Sequence, residues 1–287
     1  MIAITGASGE LGRLVIKCLL ERISADQITG LIRDQSKAQG LVDLGVALRH
    51  ADYNEPGTFA EALKGVDTLL LISSNETGVR TTQHRTVIDA AKASGIKLIA
   101  YTSVLHADVS SLGLAADHRD TEEALRESGI PYVLLRNGWY SENYLANVPS
   151  ALEHGVLLGS AADGRISSAP RADYAEAAAV VLTTEGQAGK VYELAGDSSY
   201  TLSDLASMIS QNTEKPVIYQ DLPQSEFEAV LSSIGLPAGL PAGLAALLAD
   251  SDAAAAQGAL YDDSGMLSAL IERPTTPVLD SLMEIVQ

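Results

Sequence analysis

The chain has 287 residues, 46% of them apolar, enough for one large domain or one and a half around a full core. Lys and Arg number 19 against 37 Asp and Glu, and the formal charge of −18 repels a phosphate backbone, which excludes nucleic acid as a partner. Cys18 is the only cysteine, so an internal disulfide is ruled out; with no leader-like segment and no apolar run of about 18 residues, the expected setting is the cytoplasm and not a membrane.

The first element is a buried strand over Ile2 to Thr5. Leu11, Val15, Ile16 and Leu19 follow at helical spacing, so Gly6, Gly9 and Gly12 fall where the strand becomes a helix. Gly6 allows the tight turn, Gly9 lets a phosphate approach the backbone, and Gly12 lets the helix lie close on the sheet. Amides and dipole at the helix start attract the anion. The pattern predicts a pyrophosphate cradle made by Gly6, Ala7, Ser8, Gly9, Glu10 and Leu11; a glycine-rich turn without a ligand is the alternative. Glu10 fits beside a phosphate only if its side chain turns to water.

Strand-like runs recur at Ile28 to Ile32, Val46 to Arg49, Val66 to Ile72, Lys97 to Tyr101 and Tyr132 to Leu135. Helical segments at Lys37 to Leu44, Pro56 to Lys64, Arg80 to Ser94 and Ala115 to Ser128 separate them, the last two ending at Gly95 and Gly129. This alternation predicts an α/β fold with a doubly wound, parallel, Rossmann-type sheet and right-handed crossovers. Beyond Asn137 it stops. Turns at His154-Gly155 and Asp163-Gly164 precede a helix from Arg171 and a strand near Val191 to Leu194 that can return to the main sheet. From Thr201 onward the chain reads as mostly helical, with Pro237 and Pro241 dividing one helix from the next. The expected division is a dinucleotide-binding domain over 1–136 and a smaller, mainly helical substrate lobe over 137–287. Its alanine-rich helices suit a homodimer interface as well as a core.

In such a fold the second strand ends beside the adenosine ribose, where an acid meets the 2′-hydroxyl and an arginine a 2′-phosphate. Arg33 stands there, so NADPH is expected over NADH, with Lys37 as a second charge. Asp34 would instead bind a ribose if the strand ended one residue later. Asp52 lies where an adenine amino group can be met, beside Tyr53, or serves as a turn residue. Leu71, Ile72 and Ser73, with Ser74, end the fourth strand where the cofactor should pass. After the sixth strand comes Arg136-Asn137-Gly138-Trp139-Tyr140-Ser141-Glu142-Asn143. Asn137, Gly138, Trp139, Tyr140, Ser141 and Glu142 are expected to touch the cofactor, and Tyr140 and Asn143 to place the substrate. Trp139 or Tyr140 can stack on a flat acceptor, or they can simply pack.

ITGASGELG, LLLISS, IAYTS, RNGWYSENY and the RADYA stretch at Arg171 to Ala175 together resemble the NmrA-like branch of the atypical short-chain dehydrogenase/reductases, most closely the bacterial NADPH-dependent type 2 quinone oxidoreductases. The resemblance runs nearly end to end. It implies hydride transfer from NADPH to a quinone or another planar acceptor. A triphenylmethane dye reductase and a redox-sensing regulator that binds NADP(H) are the alternatives it carries.

One departure bears on mechanism. Short-chain reductases pair a serine with a tyrosine and a lysine four residues on to protonate a carbonyl. Ser103 occupies the first position, yet no tyrosine lies between Tyr101 and Tyr132 and no lysine between Lys97 and Lys190. His84, His106 and His118 lie nearby in sequence and are candidate acids, though each is more often a capping or surface residue. No histidine shares ligand spacing with acids or with Cys18, so no metal is expected. Arg171 and Asp173 either close the substrate pocket or form a helix-end ion pair.

Overall fold

Strand β1 (Ile2–Ile4) is buried along its whole length, as a strand in the middle of a parallel sheet must be. In this computed structural model, which describes residues 1–34, 36, 39–76, 78–234 and 243–286, it leads into α1 (Glu10–Leu20), whose buried face is Leu11, Gly12, Val15, Ile16 and Leu19. There follow β2 (Ile28–Ile32), α2 (Gln39–Val42), β3 (Ala47–His50), α3 (Gly57–Ala62), β4 (Thr68–Leu71), α4 (Arg80–Ala93), β5 (Leu98–Val104), α5 (Ala115–Ser128) and β6 (Tyr132–Asn137). Then come α6 (Ser141–Leu145), α7 (Val148–His154), β7 (Val156–Gly159), α8 (Arg171–Thr183) and β8 (Val191–Leu194). Lys37, Pro237 and Pro241 lie outside the described residues.

The main sheet has seven strands in the order β3-β2-β1-β4-β5-β6-β8, and β1 to β6 pair in parallel. This is the doubly wound α/β fold that the alternating pattern predicts. The order reverses at β1 and β4, so a crevice opens at their carboxyl ends, where ligands of such sheets bind. Ile4 sits between Gly30 and Leu70 in the register. One side of the sheet rests on Leu31, Phe59, Leu63, Leu69, Val87, Ile99 and Tyr101.

Two units arise from the packing. The first comprises Met1–Ala107, Asp117–Asn137 and Arg171–Tyr192; the second comprises Asp108–Ala116, Gly138–Pro170 and Glu193–Gln287. One stretch of the first unit ends at Asn137, and α8, read as part of the substrate lobe, belongs to the first unit. It packs on α1 and β5. Tyr174, Ala175, Ala177, Ala178, Ala179, Val181 and Leu182 bury it nearly all round, so no amphipathic stripe marks which way it faces.

In the second unit β7 pairs in parallel with β9 (Ile218–Asp221), from Val156 opposite Ile218 to Gly159 opposite Asp221. These two strands stand beside the helices of the mostly helical lobe and were not among the expected elements; four residues with one face in water carry too little pattern to announce a strand. Helix α9 (Leu202–Thr213) opens with a capping box between Thr201 and Asp204. Helices α10 (Gln224–Ile234) and α11 (Leu244–Ala255) pack through Phe227, Leu231, Ala245 and Ala249, followed by α12 (Met266–Ile271) and α13 (Val278–Val286). Among the described residues no helix is long and apolar enough to cross a membrane.

Because α8 is buried on nearly every side, Ala178→Leu is expected to overpack it and lower stability by about 1–3 kcal/mol. A reduced urea midpoint at unchanged slope checks this.

Candidate functional site

The glycine turn has the shape its spacing predicts. Gly6 adopts φ +59°, open to glycine at no cost, and a Cβ on Gly12 would fall on the Gly6 carbonyl oxygen and lie 2.8 Å from the Ala7 Cα. Helix α1 therefore starts directly against the turn. Its N-cap, Gly9, makes no side-chain cap bond, so the first-turn amides keep their outward donors. Arg13 Nε donates to the Ser8 carbonyl at 2.8 Å and braces the loop from the helix side. Glu10 turns away, 79% exposed, and pairs with Arg171 Nε at 3.4 Å. Arg171 thus forms the ion pair at a helix end rather than closing a pocket.

Beyond β4 the backbone leaves the ladder, and three consecutive amides find side-chain acceptors. Ile72 N–H donates to Thr5 Oγ1 (2.9 Å), Ser73 N–H to Thr102 Oγ1 (2.9 Å) and Ser74 N–H to His84 Nε2 (2.9 Å). Tyr53 Oη donates to the Ile72 carbonyl at 3.1 Å. Segment 72–74 is thereby tied to β1, β5 and α4. Ile72 and Ser73 remain half-buried, whereas Leu71 is fully enclosed in the core and Ser74 turns its hydroxyl inward to Gln83. Of the four residues expected at this edge, Leu71 offers only backbone and Ser74 no hydroxyl. Thr5 and Thr102 were missed as supports; their only mark is a buried threonine, just past β1 in one case and inside β5 in the other.

Behind this platform runs a column of rings. Phe59 stacks on Tyr53 at 6.0 Å, Tyr53 meets His84 at 6.3 Å, His84 meets Tyr101 at 5.5 Å, and Tyr101 meets His118 at 5.8 Å. Thr121 Oγ1 donates to the Asp117 carbonyl, so it accepts from His84 Nδ1–H at 3.0 Å, which leaves Nε2 free to accept from Ser74. Burial, with the Arg80 guanidinium next, pushes His84 down to about 3 and His118 well below its usual range. Both histidines are neutral framework residues and cannot deliver protons as imidazolium. His106 stands in the left-handed region at φ +52°. Asp52 serves its own turn, Oδ1 accepting from Asn54 N–H at 2.9 Å.

Arg33 follows β2 with its side chain 61% exposed, held by Glu76 at 3.3 Å. Asp34, the competing acid, accepts from both the backbone N–H (3.0 Å) and hydroxyl (2.6 Å) of Ser36. The guanidinium can exchange a weak exposed partner for a phosphate, while the carboxylate already caps a turn.

At the ends of β5 and β6, Ser103 Oγ donates to Glu122 Oε1 at 2.6 Å. Arg136 grips the same carboxylate from Nε (3.0 Å) and Nη2 (2.8 Å). All three side chains are buried. The Ser103 proton is committed to a carboxylate, which leaves the hydroxyl oxygen only accepting capacity. Asn137 closes β6, its carbonyl accepting from Leu105 N–H at 2.9 Å.

In the second unit the segment after Asn137 forms a lip. Gly138 N–H donates to the Leu194 carbonyl (2.7 Å), Ala169 N–H to the Trp139 carbonyl (3.3 Å), and Ser141 N–H to the Ala169 carbonyl (3.0 Å). Trp139 and Ser141 are buried, and Ser141 Oγ bonds Ser168 Oγ at 2.9 Å, which in turn bonds Tyr200 Oη at 2.8 Å. Ser141 therefore supports the lip from beneath. Tyr140, Glu142 and Asn143 are half-buried at its surface.

A glycine turn at a switch point, an arginine after β2 and a pinned strand-end platform define a dinucleotide-binding protein of the Rossmann type. The family described as NAD(P)H-binding matches residues 6–185. Quinone oxidoreductase 2 of Escherichia coli is 55% identical over 285 residues, covering 99% of this chain and 98% of that protein. The crystal structure of the E. coli NADPH-dependent quinone oxidoreductase complexed with NADPH superposes with a TM-score of 0.96, 100% of each chain covered. Citrobacter triphenylmethane reductase complexed with NADP(H) reaches 0.92 at 36% identity, 99% of each chain covered. The chain belongs to this NAD(P)H-binding family, in the group of the E. coli quinone oxidoreductase 2.

The His84 position carries a pH consequence. The unfolded chain takes up the imidazole proton near 6.5 and the native one only near 3, so stability is lost as pH falls through that window. NMR titration of His84 is expected to show no inflection between pH 8 and 5, while the melting temperature declines over the acid half of that range.

Proposed function

We propose that the protein reduces quinones with NADPH and that it protonates neither the acceptor nor the product. The observation that carries this reading is the Ser103–Glu122–Arg136 trio: the one hydroxyl standing where short-chain reductases keep their proton-donating set has its proton bound to a clamped carboxylate. Full-length identity of 55% to the E. coli enzyme supports the choice of acceptor.

The residues present fit a phosphorylated dinucleotide. The uncapped start of α1 accepts a pyrophosphate, the turn needs the positive φ of Gly6 and leaves no volume for a side chain at Gly12, and Arg33 answers a 2′-phosphate. When bound, NADPH supplies the hydride. Gly6, Ala7, Ser8, Gly9, Glu10 and Leu11 bind phosphate through backbone amides, with the Glu10 side chain held off by Arg171. Ile72 and Ser73 present a rigid surface to the ribose side. Asn137 to Glu142 bound the nicotinamide end, with Ser141 acting from below, and Tyr140 and Asn143 orient the acceptor.

A quinone suits this equipment. Hydride addition gives an aromatic hydroquinone anion whose oxygen is stable enough to wait for a proton from water, so alignment of donor and acceptor faces suffices. An unactivated ketone would give an alkoxide, for which no donor stands ready. A lone cysteine also fits a reducing compartment, and we place the enzyme in the cytoplasm.

Benzoquinone and naphthoquinone are expected to accelerate NADPH oxidation, and simple ketones not to; a triphenylmethane dye, run alongside, separates the two acceptor classes. No acceleration by either quinone refutes the proposal. Arg33→Ala should weaken NADPH binding by roughly ten- to hundredfold and NADH binding far less, since a charge-assisted bond contributes about 1.5–3 kcal/mol. Equal losses in calorimetry would overturn the assignment. Ser103→Ala should leave kcat for quinones within about threefold, yet lower the melting temperature, because Glu122 loses a buried donor.

A further inference from the structure

Lip helix α6 carries a side-chain bond that reaches far along the chain. Tyr144 Oη donates to Asp252 Oδ1 at 2.9 Å, across 108 residues of chain, and both side chains are buried. The second carboxylate oxygen accepts Ser160 N–H at 3.0 Å, just after β7. Gly159 makes the approach: a Cβ there would stand 2.8 Å from Asp252 Oδ2 and 3.1 Å from the Tyr219 ring.

The next two amides are claimed by the neighbouring strand. Ala161 N–H donates to Tyr219 Oη (3.0 Å) and Ala162 N–H to Asp221 Oδ1 (2.8 Å), while Tyr219 Oη donates to Asp221 at 2.6 Å. The titratable groups facing Asp252 are thus Tyr144 from α6 and Tyr219 and Asp221 from β9, with Tyr200 ahead of α9 acting on Tyr144. Burial, with Asp221 adding repulsion, pushes the Asp252 carboxyl up to about 6 against the two donors.

We propose that Asp252 is a positioning residue for the acceptor site, fixing the lip through Tyr144 so that Tyr140 and Asn143 stand at the right depth. The inference rests on the reading of those two residues as the acceptor's contacts. Both carboxylate oxygens already accept: a proton on Oδ2 sets a donor against Ser160 N–H, and a proton on Oδ1 forces the Tyr144 hydroxyl to turn and accept, so either exchanges a charge-assisted bond for a weaker neutral one. The tie is whole when Asp252 is ionised and loosens as pH falls through 6.

Trp139, the only tryptophan, sits in the lip and reports its packing without turnover. On the full-length protein, Trp139 emission is expected to shift with a midpoint near pH 6, and D252N should lack that transition. At pH 7.5, D252N and Y144F should each raise the quinone KM roughly three- to tenfold, the range of a lost buried hydrogen bond, with the NADPH Kd within about twofold. Y144F keeps the ring and folds even if D252N does not. A KM unchanged in both variants, a transition that persists in D252N, or an NADPH Kd that moves with the KM overturns the proposal. Wild-type protein inactive on quinones sinks the functional reading instead, and the Trp139 titration then decides the role of Asp252 alone.

Discussion

A backbone amide that leaves a parallel ladder must find another acceptor or stay dry and unbonded, and this constraint shapes the carboxyl edge of the main sheet. Ile72, Ser73 and Ser74 meet it with Thr5, Thr102 and His84. Each acceptor comes from a different element, so the strand end cannot shift without breaking a bond to β1, β5 or α4. The same demand fixes the imidazole. Nε2 must accept from Ser74, so the ring must be neutral, and its burial against Tyr53 and Tyr101 holds it so. By contrast the first turn of α1 is left uncapped, and outward-facing donors are concentrated where a pyrophosphate would lie.

Three buried acid–base groups are treated differently, and their pH consequences diverge. Glu122 has Arg136 and Ser103 in place of the water it lost. His84 stays neutral and costs stability as pH falls. Burial, with Asp221 adding repulsion, raises the Asp252 carboxyl from 3.8 to about 6 against its donors. The native chain then takes up that proton before the unfolded one does, and this group's contribution to stability grows as pH falls from 6 to 3.8. Loosening of the lip in mild acid is therefore not the onset of global unfolding driven by Asp252; the same protonation favours the folded state while weakening one tie inside it.

Much of the first unit was legible. Its strands alternate with helices, both strand faces are covered, and runs such as Ile28–Ile32 and Ala115–Ser128 coincide with their elements. Glycines ended α4 and α5 where left-handed caps were expected, Gly95 at φ +74° and Gly129 at φ +73°. Where pattern fails, geometry explains why. Helix α8 is buried nearly all round and shows no stripe; β7 and β9 are too short to show alternation. The support of the site was harder still: the acceptors of segment 72–74 come from positions 5, 84 and 102, and Asp252 reaches Tyr144 across 108 residues. Such pairings depend on tertiary register, which local periodicity does not encode.

The missing Tyr–Lys pair acquires a physical sense when set beside the clamped Ser103. A site that holds an acid ready will stabilise any alkoxide that forms in it, and so will accept aldehydes and ketones along with quinones. By committing Ser103 to Glu122 and keeping His84 and His118 neutral in the framework, the chain withholds protons at the sheet edge. An acceptor whose reduced form is a weakly basic, aromatic anion needs no such proton before it leaves. Selectivity of this kind comes from omission: the hydroxyl of Ser103 and the Nδ1 proton of His84 are both bound within the frame and so are withheld from the acceptor.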